Sequence, residues 1–498
     1  MMGEQKPERA LFSYAINLEK RVRRDHPLRR VAEVLDFSFV RAEVAHCYGK
    51  KGNVSVDPEV ILKLMFLLFF DDVASERELM KIVAERMDYL WFLGYGLEDE
   101  IPDHSVLSKA RARWGEEVFE RLFVRTISQC LKAGLVDGRK LHLDSSLIDA
   151  HASKESVLKG PPELIAALKR AYEVTESKLE EVSPYYKPVN ESLVSQTDPD
   201  AAMVRRGRGD SSRPRYHHHR AVDDGKGVIT AVETTTGSVA ENHKLLDLVE
   251  QSEAHTATKV EVAVADRKYG TNENYVALAE RGTASHLGDF SEGQTNNHHC
   301  RGIFPDQAFK YDGATNTYRC PAGESLYPRR LNPRRHTMEY AARPGVCAPC
   351  PLRAQCTRAK LGRTLQRHEK QAALDLARGQ AHSPAAQRDR ARRRHLMEGS
   401  FADAANNHHF KRARWRRLWR QQIQDYLIAA CQNVRILLRH GGKERAVNLI
   451  ALPGTGGWKG SSSSAQGYLT SFKLSVRRLW LYFSRALFGS PLLAAQAT

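Results

Sequence analysis

The spacing of apolar residues changes several times along the chain, and each change predicts a different kind of structure. Up to about residue 120 the apolar positions follow a helical period. Asp57-Pro58 sets a capping carboxylate before a proline at the first turn, and predicts a helix through the strongly apolar stretch Glu59 to Phe70. Ser75-Glu76-Arg77-Glu78 fits a capping box and predicts a second helix to about Met87. A third helix is expected from near Asp103 through Lys109, Arg111 and Arg113. Short helices with a basic last member fit a helix-turn-helix-like DNA-binding module or a plain helical bundle equally well.

After Gly138 the period drops to two. Lys140 to Asp149 alternates as a strand does. A polar helix is expected over Pro162 to Val182, then a Ser/Asp/Arg-rich loop from Ser195 to Arg215. Strands over Tyr216 to Val222 and Val228 to Thr235 flank Asp223-Asp224-Gly225-Lys226-Gly227, a hairpin signal. A helix over Glu241 to Glu250, a buried strand over Lys259 to Ala265, a helix over Asn272 to Arg281 and a strand over Thr283 to Leu287 complete the series. Three strands, helix, strand, helix, strand is the element order of an RNase H-like α/β domain. In open α/β sheets ligands gather beyond the carboxyl ends of strands, where Asp266 is expected, with Asp144 emerging nearby.

The last helix of such a domain is delayed. Residues 288 to about 375 are rich in Gly, Asn, Pro, Arg and Cys and predict a loop-rich insertion. Helical spacing resumes near Gln387, where Arg394 and Glu398 stand at i and i+4 on one face. Trp415 to Leu438 then reads as an amphipathic core helix. Beyond Pro453 the chain turns to Gly and Ser, with a Ser461 to Ser464 linker and an amphipathic stretch Arg477 to Phe488. The expected divisions are therefore a helical N-terminal domain (1–125), a first part of the RNase H-like core (138–287), the insertion (288–375), the completion of the core (376–445) and a flexible tail (446–498).

Charge sharpens this picture. The net charge is +17, which points to a polyanion, nucleic acid or an anionic membrane surface. The longest apolar run, Leu64 to Phe70, is far too short to cross a bilayer, and no signal-peptide pattern opens the chain, so a cytoplasmic protein is expected. Arg388 to Arg420 holds eleven Lys or Arg residues, among which Asp389, Glu398 and Asp403 stand out. Such a run is either a solvated basic helix or a phosphate-holding surface around a metal-binding glutamate. Five of the eight cysteines fall between Cys300 and Cys356. Cys320, Cys347, Cys350 and Cys356, with a Cys-x2-Cys pair, suit tetrahedral Zn²⁺ ligation in a segment too polar to hold itself together. Free thiols without metal are the alternative, and His298, His299 and Cys300 are competing ligands.

Asp144, Asp266 and Glu398, on separate elements of one core, suit two hard divalent ions, Mg²⁺ or Mn²⁺, about 4 Å apart. Such a site activates a water or 3′-hydroxyl against a phosphodiester and stabilises the leaving oxygen. Each acid also has a plainer reading: Asp144 and Asp266 as turn residues, Glu398 as a partner of Arg394.

The stretches Leu143-Asp-Ser-Ser-Leu-Ile-Asp-Ala-His-Ala-Ser153, Val264-Ala-Asp-Arg-Lys-Tyr-Gly270 and Met397-Glu-Gly-Ser-Phe-Ala-Asp-Ala-Ala-Asn-Asn-His408 resemble the three acidic motifs of bacterial insertion-sequence DDE transposases. The four-cysteine insertion and Pro102-Asp-His-Ser105 resemble one branch of them. The resemblance spans about residues 30 to 440. It implies an RNase H-like fold, metal-dependent cut-and-paste transposition, Asp144, Asp266 and Glu398 as the acid triad, and Arg394 as its basic partner. It further implies duplex DNA, transposon ends and target, as partner, for which the basic run offers Arg394, Lys411, Arg412, Arg414, Arg416 and Arg417 as phosphate contacts. A homodimer on the DNA and a bacterial, nucleoid-associated location go with it. Two positions depart from the family pattern. Ala391 and Arg392 stand where a tyrosine is usual, and Ala405 stands where a DNA-contacting lysine is usual. A catalytically weak copy acting as an end-binding repressor, and a nuclease without strand transfer, are the competing expectations.

Overall fold

Lys140–Asp149 forms the strand (β1) around which the main sheet is built. The computed structural model of the chain describes residues 17–49, 54–175, 193–207, 209–289 and 302–441. The tail over 446–498, with its expected linker and helix, lies outside these residues, as do the end of the polar helix after 175 and His298, His299 and Cys300.

The other core strands are Arg213–Asp223 (β2), Ile229–Thr236 (β3), Val262–Ala265 (β4) and Ala284–Leu287 (β5). β1 pairs antiparallel with β2 and parallel with β4, β2 pairs antiparallel with β3, and β4 pairs parallel with β5. The spatial order is thus third, second, first, fourth, fifth, the arrangement expected of an RNase H-like mixed sheet. The short strand Ala202–Val204 adds to the start of β2, within the segment expected to be loop.

The N-terminal helices form where their caps predict. Asp57 accepts from the Glu59 amide ahead of Pro58–Phe70 (α1), and Ser75 accepts from the Glu78 amide ahead of Glu76–Glu85 (α2). Ser105–Trp114 (α3) and Glu117–Lys132 (α4) follow, and then, after the sheet begins, Leu245–Thr256 (α5) and Asn272–Arg281 (α6).

The insertion is a second sheet. Lys310–Asp312 (β6), Thr317–Arg319 (β7), Ser325–Asn332 (β8), Thr337–Ala341 (β9) and Thr364–His368 (β10) pair antiparallel in sequence order. It encloses a small core of Phe309, Leu326, Tyr340 and Leu365. Gln371–Ala381 (α7) already belongs to the main core, where Leu374, Ala377 and Ala381 join the apolar residues of β4 and α6. Pro384–Asn407 (α8) crosses the main sheet, and Leu418–His440 (α9) follows it.

α9 lies among α1, α4 and β3. Phe123 and Tyr426 stack with centroids 5.9 Å apart, and Asn433 bonds Thr126 of α4 and the Ile229 backbone of β3. The N-terminal helices therefore share one hydrophobic core with α8, α9 and part of the sheet. Among the described residues no helix is long and apolar enough to cross a membrane.

Candidate metal centre and nucleic-acid interface

Strand register brings the first two acids together. β1 and β4 pair Lys140 with Val262 and His142 with Val264. Two residues further along the same parallel register, Asp144 stands beside Asp266, at the carboxyl end of β4. Adjacent strands lie about 4.8 Å apart, so both carboxylates reach one point. Asp266 also caps the short turn Arg267–Tyr269 by accepting from the Lys268 amide at 2.9 Å. Gly270 lets that turn close: a Cβ there would sit 2.0 Å from the Gly288 carbonyl oxygen at the end of β5.

The third acid in this notch is Glu241, which opens the 3-10 turn before α5. Ligand oxygens of Asp144, Glu241 and Asp266 all lie within 4.8 Å of one another. Glu241 is buried, accepts from the Ser145 hydroxyl, and pairs with Lys268 Nζ at 2.6 Å. Arg393 of α8 pairs with Asp144 at 2.8 Å. Burial pushes the Asp144 carboxyl above its ordinary range; Arg393 opposes the shift, while Asp266 and Glu241 add to it. Asp266 is raised by burial and then by Glu241. Lys268 is raised chiefly by its bond to Glu241. Three crowded carboxylates, two of them raised, form a hard-oxygen donor set that fits a divalent cation.

Glu398 is not part of this group. α8 turns Arg393 and Met397 toward the sheet, and Glu398, one residue past buried Met397, is exposed. Arg394 is likewise exposed, and its neighbour Arg393 is the residue that meets Asp144. The other acids of the basic run are structural. Asp389 is held between Lys140 at 3.0 Å and His286 at 2.7 Å, and Asp403 accepts from Gln432 at 2.8 Å.

The expected phosphate contacts divide. Lys411 donates to Ser146 at 2.6 Å, close to the acidic notch, and burial lowers its pKa. Arg412 and Arg416 are exposed and near enough to His151 to depress its pKa, after burial. Arg414 and Arg417 turn inward. Arg414 pairs with Asp72 at 3.0 Å and covers Phe69, while Arg417 pairs with Asp200 at 3.2 Å. In α3, Arg111 is also buried, against Glu76 and the Trp415 ring, whereas Lys109 and Arg113 are exposed.

Cys320, Cys347, Cys350 and Cys356 line one cavity of the insertion. Burial raises the Cys356 thiol, and the other three thiols are near enough to raise it further. The carboxylate trio is nevertheless the group of three or more metal-ligating side chains, among the described residues, whose ligand atoms all lie within 4.8 Å; the sulfurs are spread wider.

Sequence reasoning missed Glu241, Lys268 and Arg393. A glutamate opening a helix reads as a dipole partner, so nothing local marks Glu241. Arg393 was open to detection, because it shares a helix face with apolar Met397.

Residues 16–113 match the family model described as a transposase domain (DUF772), and residues 319–438 match a transposase DDE domain. None of the curated proteins matches the chain. Among solved structures, a piggyBac transposase synaptic complex with hairpin DNA is similar at 9% identity and a TM-score of 0.33, covering 84% of this chain and 74% of that one. So distant a likeness carries no argument about the site.

Proposed function

We propose that this chain is a DDE-type DNA transposase that cleaves DNA at transposon ends and joins them to target DNA. The observation that carries this reading is the convergence of Asp144, Glu241 and Asp266 in a chain with two segments similar to transposase domains. In this reading the three carboxylates hold Mg²⁺ or Mn²⁺. A divalent cation bound there supplies the positive charge that an in-line displacement at phosphorus requires. Arg393 and Lys268 hold Asp144 and Glu241 in place before the cation arrives. Lys411, Arg412 and Arg416 hold flanking phosphates of duplex DNA. The working form is a homodimer on paired ends, acting at the bacterial nucleoid in the cytoplasm.

Glu398 keeps the role of third catalytic carboxylate that the resemblance implies, on the helix that delivers Arg393. Glu241 is a ligand of the resting site. Asp144→Asn, Asp266→Asn and Glu398→Gln are each expected to lower Mg²⁺-dependent nicking of transposon-end DNA by about 100-fold or more, the scale of losing a transition-state contact. Glu241→Gln is expected to weaken Mn²⁺ binding in titration calorimetry. Full nicking by Glu398→Gln would remove that residue from the site, and unchanged Mn²⁺ affinity in Glu241→Gln would remove Glu241.

Ala405 and the exposed Glu398 favour a second reading, an end-binding repressor that binds terminal repeats without cutting them. Binding with no nicking in Mn²⁺ is its signature. A nuclease is separated from both by offering precut ends and target DNA.

Zn²⁺ on Cys320, Cys347, Cys350 and Cys356 is the further metal in this reading. It would draw the thiols inward and brace a sheet with a very small core. Metal analysis of protein purified without chelator should find about one zinc per chain. Protein without zinc, whose Cys347→Ser variant melts like wild type, would sink the assignment.

A further inference from the structure

The insertion carries far more positive charge than its own fold uses. Residues 302–370 hold thirteen Lys or Arg against five Asp or Glu, a net +8 of the chain's +17. The excess gathers on the hairpin of β8 and β9. Arg329 and Arg330 lie on β8, and Arg334 and Arg335 lie in the turn that follows; all four are exposed.

β8 is exposed on both faces from Tyr327 to Leu331, so two consecutive arginines both reach solvent. A shift between Pro328 and Arg330 breaks the alternation with β9, so Arg329 falls where the ladder slips. β7 pairs with β8 only at Ser325 and Leu326, so from Tyr327 onward this edge of β8 meets no strand among the described residues. Glu339 stands opposite Arg330 in the register, and Glu369 is paired with His336 at 3.1 Å. None of the four arginines forms an ion pair or a side-chain hydrogen bond with a described residue. Elsewhere in the chain Arg111, Arg393, Arg414 and Arg417 each have a carboxylate partner.

We propose that this arginine hairpin is a second DNA-binding surface, which holds backbone phosphates of duplex DNA away from the acidic notch. The inference rests on the transposase reading for the nature of its polyanion. A guanidinium without an internal partner on a sheet edge adds nothing to folding. It offers a planar, forked donor that matches phosphate geometry. Four of them on one hairpin give a patch whose attraction is insensitive to base sequence.

The test is binding of the full chain to a mixed-sequence DNA duplex, followed by fluorescence anisotropy across a salt series. Arg329, Arg330, Arg334 and Arg335 are replaced together by Ala, and in a second variant together by Lys. The Ala variant should lose affinity and reduce the slope of log affinity against log salt by about 0.9 for each arginine in phosphate contact. The Lys variant should keep most of that slope. Both should melt with wild type, since the four side chains have no internal partner to lose. Strong binding by wild type with the same slope in the Ala variant overturns this proposal and leaves the transposase reading intact. No duplex binding by wild type at low salt overturns both. Loss of binding to phosphatidylserine vesicles in the Ala variant, with duplex binding unchanged, assigns the patch to a membrane surface and overturns it as well.

Discussion

Asp144 and Asp266 are charged groups held where charge is disfavoured. Burial raises both carboxyls; Glu241 adds to the shift of each, and Asp266 adds to that of Asp144. A carboxyl whose pKa is higher folded than unfolded binds a proton more tightly in the native state. Its stabilising contribution is complete below the unfolded value and is lost as pH rises through the raised folded value. At neutral pH, then, each ionised aspartate works against the metal-free fold, and a bound cation reverses this. Asp266→Asn keeps an oxygen for the Lys268 amide while removing the charge. In chelator at neutral pH its melting temperature should equal or exceed wild type by about a degree or two, small because the folded unit is large. Mn²⁺ should raise the wild-type melting temperature and leave that of the variant unmoved. Thermal shift with and without Mn²⁺ measures both, and a clear drop for Asp266→Asn in chelator would show that its charge is structural. The same pair of aspartates could be read from sequence, Asp144 within a strand-like run and Asp266 at the end of one. Glu241 could not, because its place in the notch depends on a turn between β3 and α5 that no local pattern specifies.

At the scale of elements, success followed the strength of the local signal. β1 and α6 have the bounds expected for them, Lys140–Asp149 and Asn272–Arg281. One alternates over Lys140 to Asp144; the other starts at a Thr271 cap and ends at Gly282 in the left-handed region. The insertion gave no such signal and still forms five strands. Its outward positions are mostly polar or charged, and its buried apolar residues number four, so the apolar alternation that marks a strand is nearly absent. α8 shows the opposite difficulty. Its basic composition reads as a solvated helix, yet Asp389 is pinned to β1 and β5, Arg393 to Asp144, and Met397 and Ala404 are buried. Charge obscured an inward face because several of its inward residues are themselves charged. The exposed Arg394 and the inward Arg393 differ by one residue, about 100° around the helix, and composition cannot separate them.

On the scale of the molecule, the site depends on segments far apart in the chain. Asp144 and Asp266 come from the sheet and Arg393 from α8, which the insertion separates from β5. The ends of this arrangement are tied by α9, whose Ile423, Leu427, Ala430 and Val434 join the core that holds Phe66, Phe69 and Phe123. His408 reaches the Phe69 carbonyl, and Cys431 reaches that of Phe66. In sequence, the helical period and the caps mark residues 1–125 as a helical domain. Caps report where helices begin, however, not what covers their apolar faces. A fragment ending at residue 135 would expose the faces of α1 and α4 that α9 covers, and apolar area left in water removes about 25 cal/mol of stabilisation per Å². Such a fragment is expected to retain helical signal in far-ultraviolet circular dichroism but to melt without a sharp transition, whereas the full chain should show its N-terminal helices and its sheet unfolding together. Tryptophan fluorescence, which in residues 1–135 reports Trp91 and Trp114, provides the second probe. A sharp, reversible transition in the isolated fragment would mean that the shared core is an interface between independently stable parts, and that the N-terminal helices could turn on DNA separately from the acidic notch.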